Sequence, residues 1–378
     1  MVGGVGSAAE KEELWKNVAV LRWNAKASGT WKNLKVGWSA WEKYCAFMGI
    51  KVWLPSAIPG SESDKLNYVH GECFVCFVIH NMGVKCAATA IQYVRAVVSA
   101  HKYRGLQDPW HMEQCWLQDS LKGAMRLHPS GCSIKNVMTL PIMRALNQTS
   151  VFKSTERFGR LLRMTLALGV MGMRRSQDLL VPSARRADPY TMLCKGDVVT
   201  SVIDGRRRAI LFIKRGKTDQ TGEGTMVPFE ELAEDDKDIC PVTMIFDWLD
   251  RDISHLNARD PFLADDRDKP LTYKTFSKFL KLGVEELGFD PKSYAPHCMR
   301  SGGATAAFAA GVDMELIKQR GNWRSSAVLR YTRPSVEPLL SVGPAIAGAV
   351  FTPIPRRRGA EQEATFPDSK RRRVHGSS

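Results

Sequence analysis

The sequence predicts a mainly α-helical protein that carries a small antiparallel β-sheet and is divided into two domains. Apolar residues recur at helical spacing through most of the chain, and strand-like alternation is confined to one short region. The chain has 378 residues, and single hydrophobic cores seldom grow beyond about 250–300 residues, so two domains are expected. Hydrophobic residues make up 44% of the sequence and charged residues 25%, which excludes a wholly disordered protein.

The first domain is predicted to be a small helical bundle. Trp38, Trp41 and Tyr44 are spaced as on the apolar face of one helix, and further apolar helices are expected at Tyr68–Met82 and Ala87–Tyr103. The predicted organisation is, in chain order, a disordered N-terminal tail (1–11), the helical domain (12–126), a linker (127–139), a second domain (140–335) and a flexible basic tail (336–378).

The second domain contains the strand signals. Apolar alternation predicts strands at Asp197–Val202, Arg208–Lys214 and Thr225–Phe229, and the Gly-rich turn before the third strand favours antiparallel pairing. Helical patterns resume at Val242–Arg251 and Lys274–Leu287. This domain is therefore predicted to be mainly helical with a small sheet.

The chain is strongly basic, with a formal net charge of +15 at pH 7, which favours a polyanionic partner such as nucleic acid. No apolar run approaches the ~20 residues of a membrane span, and the nine scattered cysteines favour a reducing interior. Two basic clusters in the tail predict a nuclear location and an import receptor as partner, with a solvated tail as the alternative. The clusters are Arg356, Arg357, Arg358, Lys370, Arg371, Arg372 and Arg373.

The most informative stretch spans residues 295–331. His297 and Arg300 are three residues apart, on one face of a helix whose first turn contains Pro296. The small residues after them allow another backbone to approach closely. A tyrosine, Tyr331, ends the stretch.

Two further short helices are expected between the arginine and the tyrosine. Asp313 is suited to the N-cap of the first and Gly321 to the position just after its end. Trp323 follows in a loop, and Ser325 or Ser326 can cap the last helix. Each residue alone is compatible with a purely structural role, but their order in a basic two-domain chain is far more specific.

Taken together, His-x-x-Arg, Gly-Asn-Trp and the following tyrosine resemble the core motif of the tyrosine recombinase (phage integrase) family. The resemblance covers about residues 140–335 by motif and 12–126 by architecture only, and it is strongest to recombinases of eukaryotic DIRS-type and crypton mobile elements. It implies an N-terminal helical core-binding bundle and a C-terminal α+β catalytic domain. It also implies site-specific cutting and rejoining of DNA through a 3′-phosphotyrosine intermediate, with no metal, ATP or other cofactor.

The resemblance also implies a second catalytic arginine upstream. The segment that begins Gly172-Met-Arg-Arg-Ser-Gln-Asp is similar to the family's Gly-Leu-Arg-x-x-Glu motif. With Asp178 in the place of the glutamate the catalytic residue is Arg175, and with Gln177 in that place it is Arg174. Arg175 is preferred, because the two leucines that follow then match the family's apolar positions. The distance from Gly172 favours Arg174 instead, so both arginines remain candidates.

The family's catalytic lysine lies in a β-hairpin, where Lys217 matches best and Lys214 is the alternative. In the roles that the resemblance implies, Tyr331 is the nucleophile and Arg300 binds the phosphate together with the upstream arginine. His297 would bind the phosphate and assist proton transfer, and the lysine would protonate the departing 5′-oxygen.

The resemblance assigns the indole N–H of Trp323 to a phosphate oxygen, and Asp178 to orienting the histidine or an arginine. The two domains are expected to clamp duplex DNA, with Lys32, Lys35 and Arg95 as candidate phosphate contacts in the helical domain. A homo-oligomer, the family's tetramer on paired sites, is the expected assembly.

Two other functions fit part of the pattern: a domesticated nuclear DNA-binding protein that does not cut, and a type IB topoisomerase-like enzyme. The joint presence of the tyrosine, histidine and arginine favours an enzyme over the first. The His-x-x-Arg order and the helical N-terminal domain favour a recombinase over the second.

One other constellation invites a metal interpretation. Cys73, Cys76 and His80, with Cys86 nearby, have ligand-like spacing. The surrounding sequence is apolar and no second Cys-x-x-Cys exists, so core packing is the preferred interpretation and no metal is expected. The acidic pair at 265–266 lies among other charged residues and is expected in an exposed loop.

Overall fold

A computed structural model of the chain describes residues 12–13, 28–54, 61–82, 85–106, 109, 115–127, 136–214, 216, 219 and 222–330. The chain divides into two compact units between residues 133 and 134. The described residues are mainly helical and contain one three-stranded antiparallel sheet, so the predicted fold class is confirmed. None of the helices in these ranges is both long and apolar enough to cross a bilayer.

The first unit is built from helices that pack around a common aromatic core. These are α1 (Ser28–Met48), α2 (Ser61–Met82), α3 (Ala87–Tyr103) and α4 (Cys115–Leu127). Trp41, Phe74 and Phe77 are fully buried at the centre of the core. The structure confirms the predicted bounds of α3, but α2 begins seven residues before the predicted Tyr68, because Ser and acidic residues at its start favour a helical first turn.

The second unit contains the remaining helices and the sheet. The helices are α5 (Leu140–Asn147), α6 (Ser150–Lys153), α7 (Arg157–Met171), α8 (Ser176–Leu179), α9 (Pro241–Asp247), α10 (Tyr273–Glu286), α11 (His297–Ala309) and α12 (Met314–Gly321). The helix predicted to run to Arg251 stops being α-helical after Asp247 and continues as a π-helical turn over Trp248–Asp252. Asn136 and Met138, predicted to lie in the linker, donate main-chain hydrogen bonds to residues of this unit.

The sheet consists of β1 (Val198–Ile203), β2 (Arg206–Ile213) and β3 (Thr225–Glu230) in the order β1-β2-β3. Asp204 and Gly205 join β1 to β2, both with positive φ (51° and 74°), which is the backbone of a tight hairpin turn that follows the strand twist. Ala209, Leu211 and the other inward residues of the strands are buried against the core. All three predicted strands are confirmed to within two residues at each end.

Helix α7 forms the centre of the second unit, and α11 packs directly against it. A Cβ added at Gly303 would lie 2.0 Å from the carbonyl oxygen of Val170, and one added at Gly302 would lie 2.0 Å from that of Met138. The backbone of α11 can approach α7 and the Met138 segment this closely only because these positions have no side chain. The prediction that small residues in this helix allow close approach is confirmed.

Candidate active site

Two arginine side chains in the second unit are almost completely buried, Arg174 and Arg300, each with 1% of its surface exposed. A buried charge is costly unless hydrogen bonds satisfy it. The Arg300 guanidinium donates through Nη1 to the main-chain oxygens of Met173 and Gly321, both at 2.7 Å. The Arg174 guanidinium donates through Nη1 to the main-chain oxygen of Arg320 at 3.2 Å. Two consecutive carbonyl groups of one segment therefore hold the two arginines.

These carbonyl groups are available because α12 ends there. The last carbonyls of a helix have no partner within the helix. The residue after α12, Asn322, has a left-handed backbone with φ 54°, and its side-chain amide donates to Thr225 Oγ1 at 3.0 Å. The sequence pattern predicts Gly321 just past the helix end, and this prediction is wrong: Gly321 is the last helical residue, and asparagine at 322 tolerates the left-handed conformation.

Glycine is required at position 321 because a side chain approaches it closely, and not because of its own backbone conformation. A Cβ at Gly321 would lie 1.6 Å from the ring of Trp323, which folds back over it. The ring of Trp323 in turn lies against Arg300, with the guanidinium carbon 3.6 Å from the ring centroid. Such stacking stabilises a cation while leaving its charge in place. The corner at 320–323 thus determines the placement of both guanidinium groups.

The second acceptor of Arg300 lies at another unusual corner. Met173, just after α7, has φ 49°, a conformation that costs about 1 kcal/mol or more for a residue other than glycine. Its side chain packs with Ala304, Ile317 and Trp323 in a small apolar cluster. Packing of the side chain therefore stabilises a backbone turn that presents its carbonyl group to Arg300.

The same cluster anchors the last described turn of the chain. Val328 is fully buried in it, within a 3-10 turn over Ser326–Arg330. The Ser325 hydroxyl accepts a hydrogen bond from the main-chain N–H of Ala327 at 3.3 Å, so Ser325 is the capping serine of the two that were considered. Tyr331 lies outside the described residues.

Arg174 and Arg175 differ in their burial and in how they contact Asp178. The carboxylate of Asp178 accepts from Arg174 Nε at 3.2 Å and from the main-chain N–H of Arg175 at 3.0 Å. The Asp178 carboxylate therefore caps the main chain of Arg175 at the start of α8, and this cap accounts for the three-residue spacing between the two residues. Arg175 is half-buried, whereas Arg174 shares its anchoring segment with Arg300. Burial lowers the pKa of the Arg174 guanidinium, and the charge of Asp178 opposes this.

The remaining site residues on α11 and α12 lie as follows. His297 is the first residue of α11 and is exposed, one turn before Arg300 on the same helix face. Pro296 occupies the N-cap position of that helix. The Asp313 carboxylate caps α12 by accepting from the main-chain N–H groups of Glu315 and Leu316, as the sequence predicts.

Of the two candidate lysines, only Lys214 lies among the described residues. Lys214 forms an ion pair with Asp197 at 2.5 Å and donates to the main-chain oxygen of Pro189 at 2.6 Å. These contacts hold the Lys214 side chain against the segment that precedes β1. Lys217 lies outside the described residues. The preceding residue, Gly216, lies beside Asp178, since a Cβ added there would be 3.7 Å from the Asp178 Oδ1 atom.

In the first unit, Lys32, Lys35 and Arg95 are all exposed. The two lysines border an open groove lined by aromatic rings, including Trp31 and Trp53. Their exposure makes them available to an external anion. The candidate localisation residues, Arg356, Arg357, Arg358, Lys370, Arg371, Arg372 and Arg373, lie outside the described residues.

A third guanidinium, that of Arg320, belongs to this region, although no motif in the sequence predicts it. Its Nε and Nη2 atoms donate to the main-chain oxygen of Met171 at 3.3 and 3.2 Å, and Nη1 donates to that of Pro228. Burial, with the charge of Arg174 as a second cause, lowers the pKa of Arg320 to about 10. No spacing rule in the sequence points to these main-chain partners.

The cysteine and acidic constellations carry no site in the structure. Cys73 packs partly on the core of the first unit, whereas Cys76, His80 and Cys86 are exposed, so the core-packing interpretation holds for Cys73 alone. Within the described ranges, no three His, Cys, Asp or Glu side chains are grouped so that they could hold a metal ion. Asp265 accepts main-chain hydrogen bonds across a surface turn, as expected for a loop residue.

The architecture matches that of tyrosine recombinases and integrases. A solved dimer of a lambda integrase fragment bound to a COC′ core site has a TM-score of 0.52 and 14% sequence identity, covering 85% of this chain and 94% of that one. XerH site-specific recombinase bound to palindromic difH substrate has a TM-score of 0.49 and 15% identity, covering 74% and 72%. The Tn1549 transposon integrase in complex with circular intermediate DNA has a TM-score of 0.42 and 11% identity, covering 79% and 95%.

The likeness to lambda integrase concerns the fold alone, because the two sequences are only 14% identical. No protein-family model matches the chain, and no curated protein sequence is similar to it.

Proposed function

We propose that the protein is a site-specific DNA recombinase that cuts and rejoins duplex DNA with Tyr331 as the nucleophile. The observation that carries this proposal is the pair of buried guanidinium groups, Arg174 and Arg300, held on the consecutive carbonyls of Arg320 and Gly321. The fold, similar to that of lambda integrase, supports the same function.

In the proposed reaction, the phenolic oxygen of Tyr331 attacks a backbone phosphorus and forms a new P–O bond. The bond from phosphorus to the 5′-oxygen breaks, leaving a 3′-phosphotyrosine and a 5′-hydroxyl. The proton of the phenol goes to a base, and the departing oxygen takes up a proton. Attack by a different 5′-hydroxyl reverses these steps and joins a new strand. The bond energy is retained in the covalent link, so the chemistry requires no ATP or metal.

The arginines would stabilise the charge that develops on the non-bridging oxygens. Carbonyl groups orient a guanidinium without neutralising it. Arg174, rather than Arg175, is the proposed partner because it shares the anchoring segment. His297, exposed one turn before Arg300, would bind the phosphate and assist proton transfer. Trp323 would hold Arg300 in place and donate its indole N–H to a phosphate oxygen.

Lys217 is the proposed general acid. Lys214 is held by Asp197 and a main-chain oxygen, which makes it the weaker candidate. The connection between β2 and β3 passes beside Asp178 at Gly216, and this supports a lysine of that connection acting near the arginines. Asp178 would keep Arg174 in its orientation.

The charge of the protein and the exchange of strands between sites predict its partners, its assembly and its location. Lys32, Lys35 and Arg95 would contact phosphates and help the two domains clamp duplex DNA. Rejoining strands between two sites requires more than one active site, so we propose a homo-oligomer on DNA, a tetramer when two sites are paired. The basic tail would direct the protein to the nucleus through an import receptor, as suits a recombinase of a eukaryotic mobile element.

Covalent trapping tests the proposed function. Duplexes bound by the purified protein are first selected from a random pool, and a nick is then placed so that the cleaved 5′-hydroxyl fragment diffuses away. Denaturing electrophoresis of end-labelled DNA should reveal a protein–DNA adduct with the parent chain. Tyr331→Phe should form no adduct while its dissociation constant for the intact duplex stays the same.

An undiminished adduct with Tyr331→Phe would refute the assignment of the nucleophile. Binding without any adduct, at every nick position, would favour a non-catalytic DNA-binding protein. Relaxation of supercoiled plasmid without recombinant products would favour a topoisomerase-like enzyme instead.

A further inference from the structure

Arg320 is linked to both buried arginines by its place in the chain. Its own carbonyl group accepts from Arg174, and the next carbonyl group, that of Gly321, accepts from Arg300. Both guanidinium groups therefore depend on where the end of α12 lies. A displacement of this one turn would move the anchors of both together.

The side chain of Arg320 holds that turn in place. Its guanidinium donates to the main-chain oxygen of Met171 at the end of α7 and to that of Pro228 in β3. The guanidinium carbon also lies 4.7 Å from the ring centroid of Phe229. A single side chain thus ties α12 to both a core helix and the sheet. Lysine could not reproduce this, because it lacks the planar fork of donors.

We propose that Arg320 is a positioning residue, whose side chain fixes the two carbonyl groups that aim Arg174 and Arg300 at the scissile phosphate. This inference rests on the proposed function, and it assigns to Arg320 no contact with DNA. Misplacement of reacting groups by about 1 Å can cost on the order of 100-fold in rate. Loss of the Arg320 contacts should therefore slow covalent chemistry more than it weakens DNA binding.

The test compares Arg320→Met with a matched control, Arg207→Met. Arg207, in β2, also stacks on a phenylalanine, Phe246 at 5.3 Å, and donates to Glu231 at 3.0 Å. Methionine keeps apolar volume over the ring in both variants and removes the donors. We expect Arg320→Met to form the phosphotyrosine adduct about 10- to 100-fold more slowly at saturating DNA, with a dissociation constant within about threefold of the parent. Arg207→Met should match the parent in both, and Arg320→Lys should recover only part of the rate.

Equal adduct rates for the two methionine variants would overturn the proposal. A parallel loss of binding and rate in Arg320→Met would also overturn it, since that result indicates direct DNA contact.

A second measurement keeps the proposal testable even if the parent forms no adduct. Hydrogen exchange, followed by mass spectrometry on the full chain, should become faster in Arg320→Met for peptides that cover α12 and residues 171–175. Arg207→Met should leave these peptides unchanged. Unaltered exchange in Arg320→Met would refute the positioning role, whereas faster exchange without an adduct in the parent would refute only the proposed function.

Discussion

Gly303→Ala tests how α11 is held against α7. A Cβ at this position would lie 2.0 Å from the Val170 carbonyl oxygen and 3.0 Å from its carbonyl carbon. Close carbon–oxygen contacts are normally about 3.3 Å or longer, so the two backbones would have to separate by about 1 Å. Neither backbone can avoid the contact by changing a rotamer, because the clashing atoms belong to the main chain of a core helix.

The expected magnitude follows from two opposing effects. Replacing glycine by alanine inside a helix stabilises it by about 1 kcal/mol. Overpacking a core costs about 1–3 kcal/mol, and a clash with backbone belongs at the upper end of that range. The net expectation for Gly303→Ala is a loss of about 2 kcal/mol in the free energy of unfolding.

The matched control is Gly123→Ala in α4, where an added Cβ meets nothing within 4 Å. This variant should gain up to about 1 kcal/mol from helix propensity alone. Urea denaturation of the full chain, followed by circular dichroism, compares the two variants with the parent. If Gly303→Ala were as stable as the parent, the close approach of α11 to α7 would be refuted.

Three further predictions concern charge. Asp178→Ala should lower the free energy of unfolding by roughly 3 kcal/mol, because it leaves the buried guanidinium of Arg174 without its carboxylate. Urea denaturation measures this loss, and an unchanged midpoint would contradict the burial of the Arg174–Asp178 pair. Replacing Lys32 and Lys35 together by alanine should reduce the salt slope of DNA binding by about 2, and an unchanged slope in titrations at several salt concentrations would exclude them as phosphate contacts. The guanidinium of Arg157 lowers the pKa of Asp268, so this pair stabilises the fold fully at pH values above the ordinary pKa of aspartate, about 4, and the contribution is lost as the pH falls through the lowered value. Asp268→Asn should remove that part of the acid dependence of the melting temperature. An acid dependence identical to that of the parent would refute the prediction.

The sequence predicted the elements that depend on local patterns. The bounds of α3, the cap at Asp313, a serine cap at 325 or 326, and the close packing at Gly302 and Gly303 all follow from periodicity or from residue type, which are visible in the sequence. The same holds for the three strands, whose alternation matches the pleat of a half-buried sheet.

The arrangement of the arginines could not be predicted in this way. The burial of Arg174 follows a corner at which Met173 adopts a positive φ, and no local pattern indicates this in a residue other than glycine. Arg320 finds its partners 149 and 92 residues away in the chain, and both partners are main-chain oxygens. Every residue type carries such an oxygen, so the sequence contains no signal for it.

Because Arg174 and Arg300 are anchored on carbonyl oxygens, substitutions and insertions in α12 are expected to have different effects. Apart from Arg320, Gly321 and the buried Ile317, substitutions along this helix leave the oxygens of residues 320 and 321 in place, so the composition of its exposed positions is free to drift. A change in its length is another matter: one inserted residue would rotate the helix end by about 100°. Point mutations at the exposed positions would therefore underrate α12, whereas a single inserted alanine would turn the acceptors away from both arginines at once.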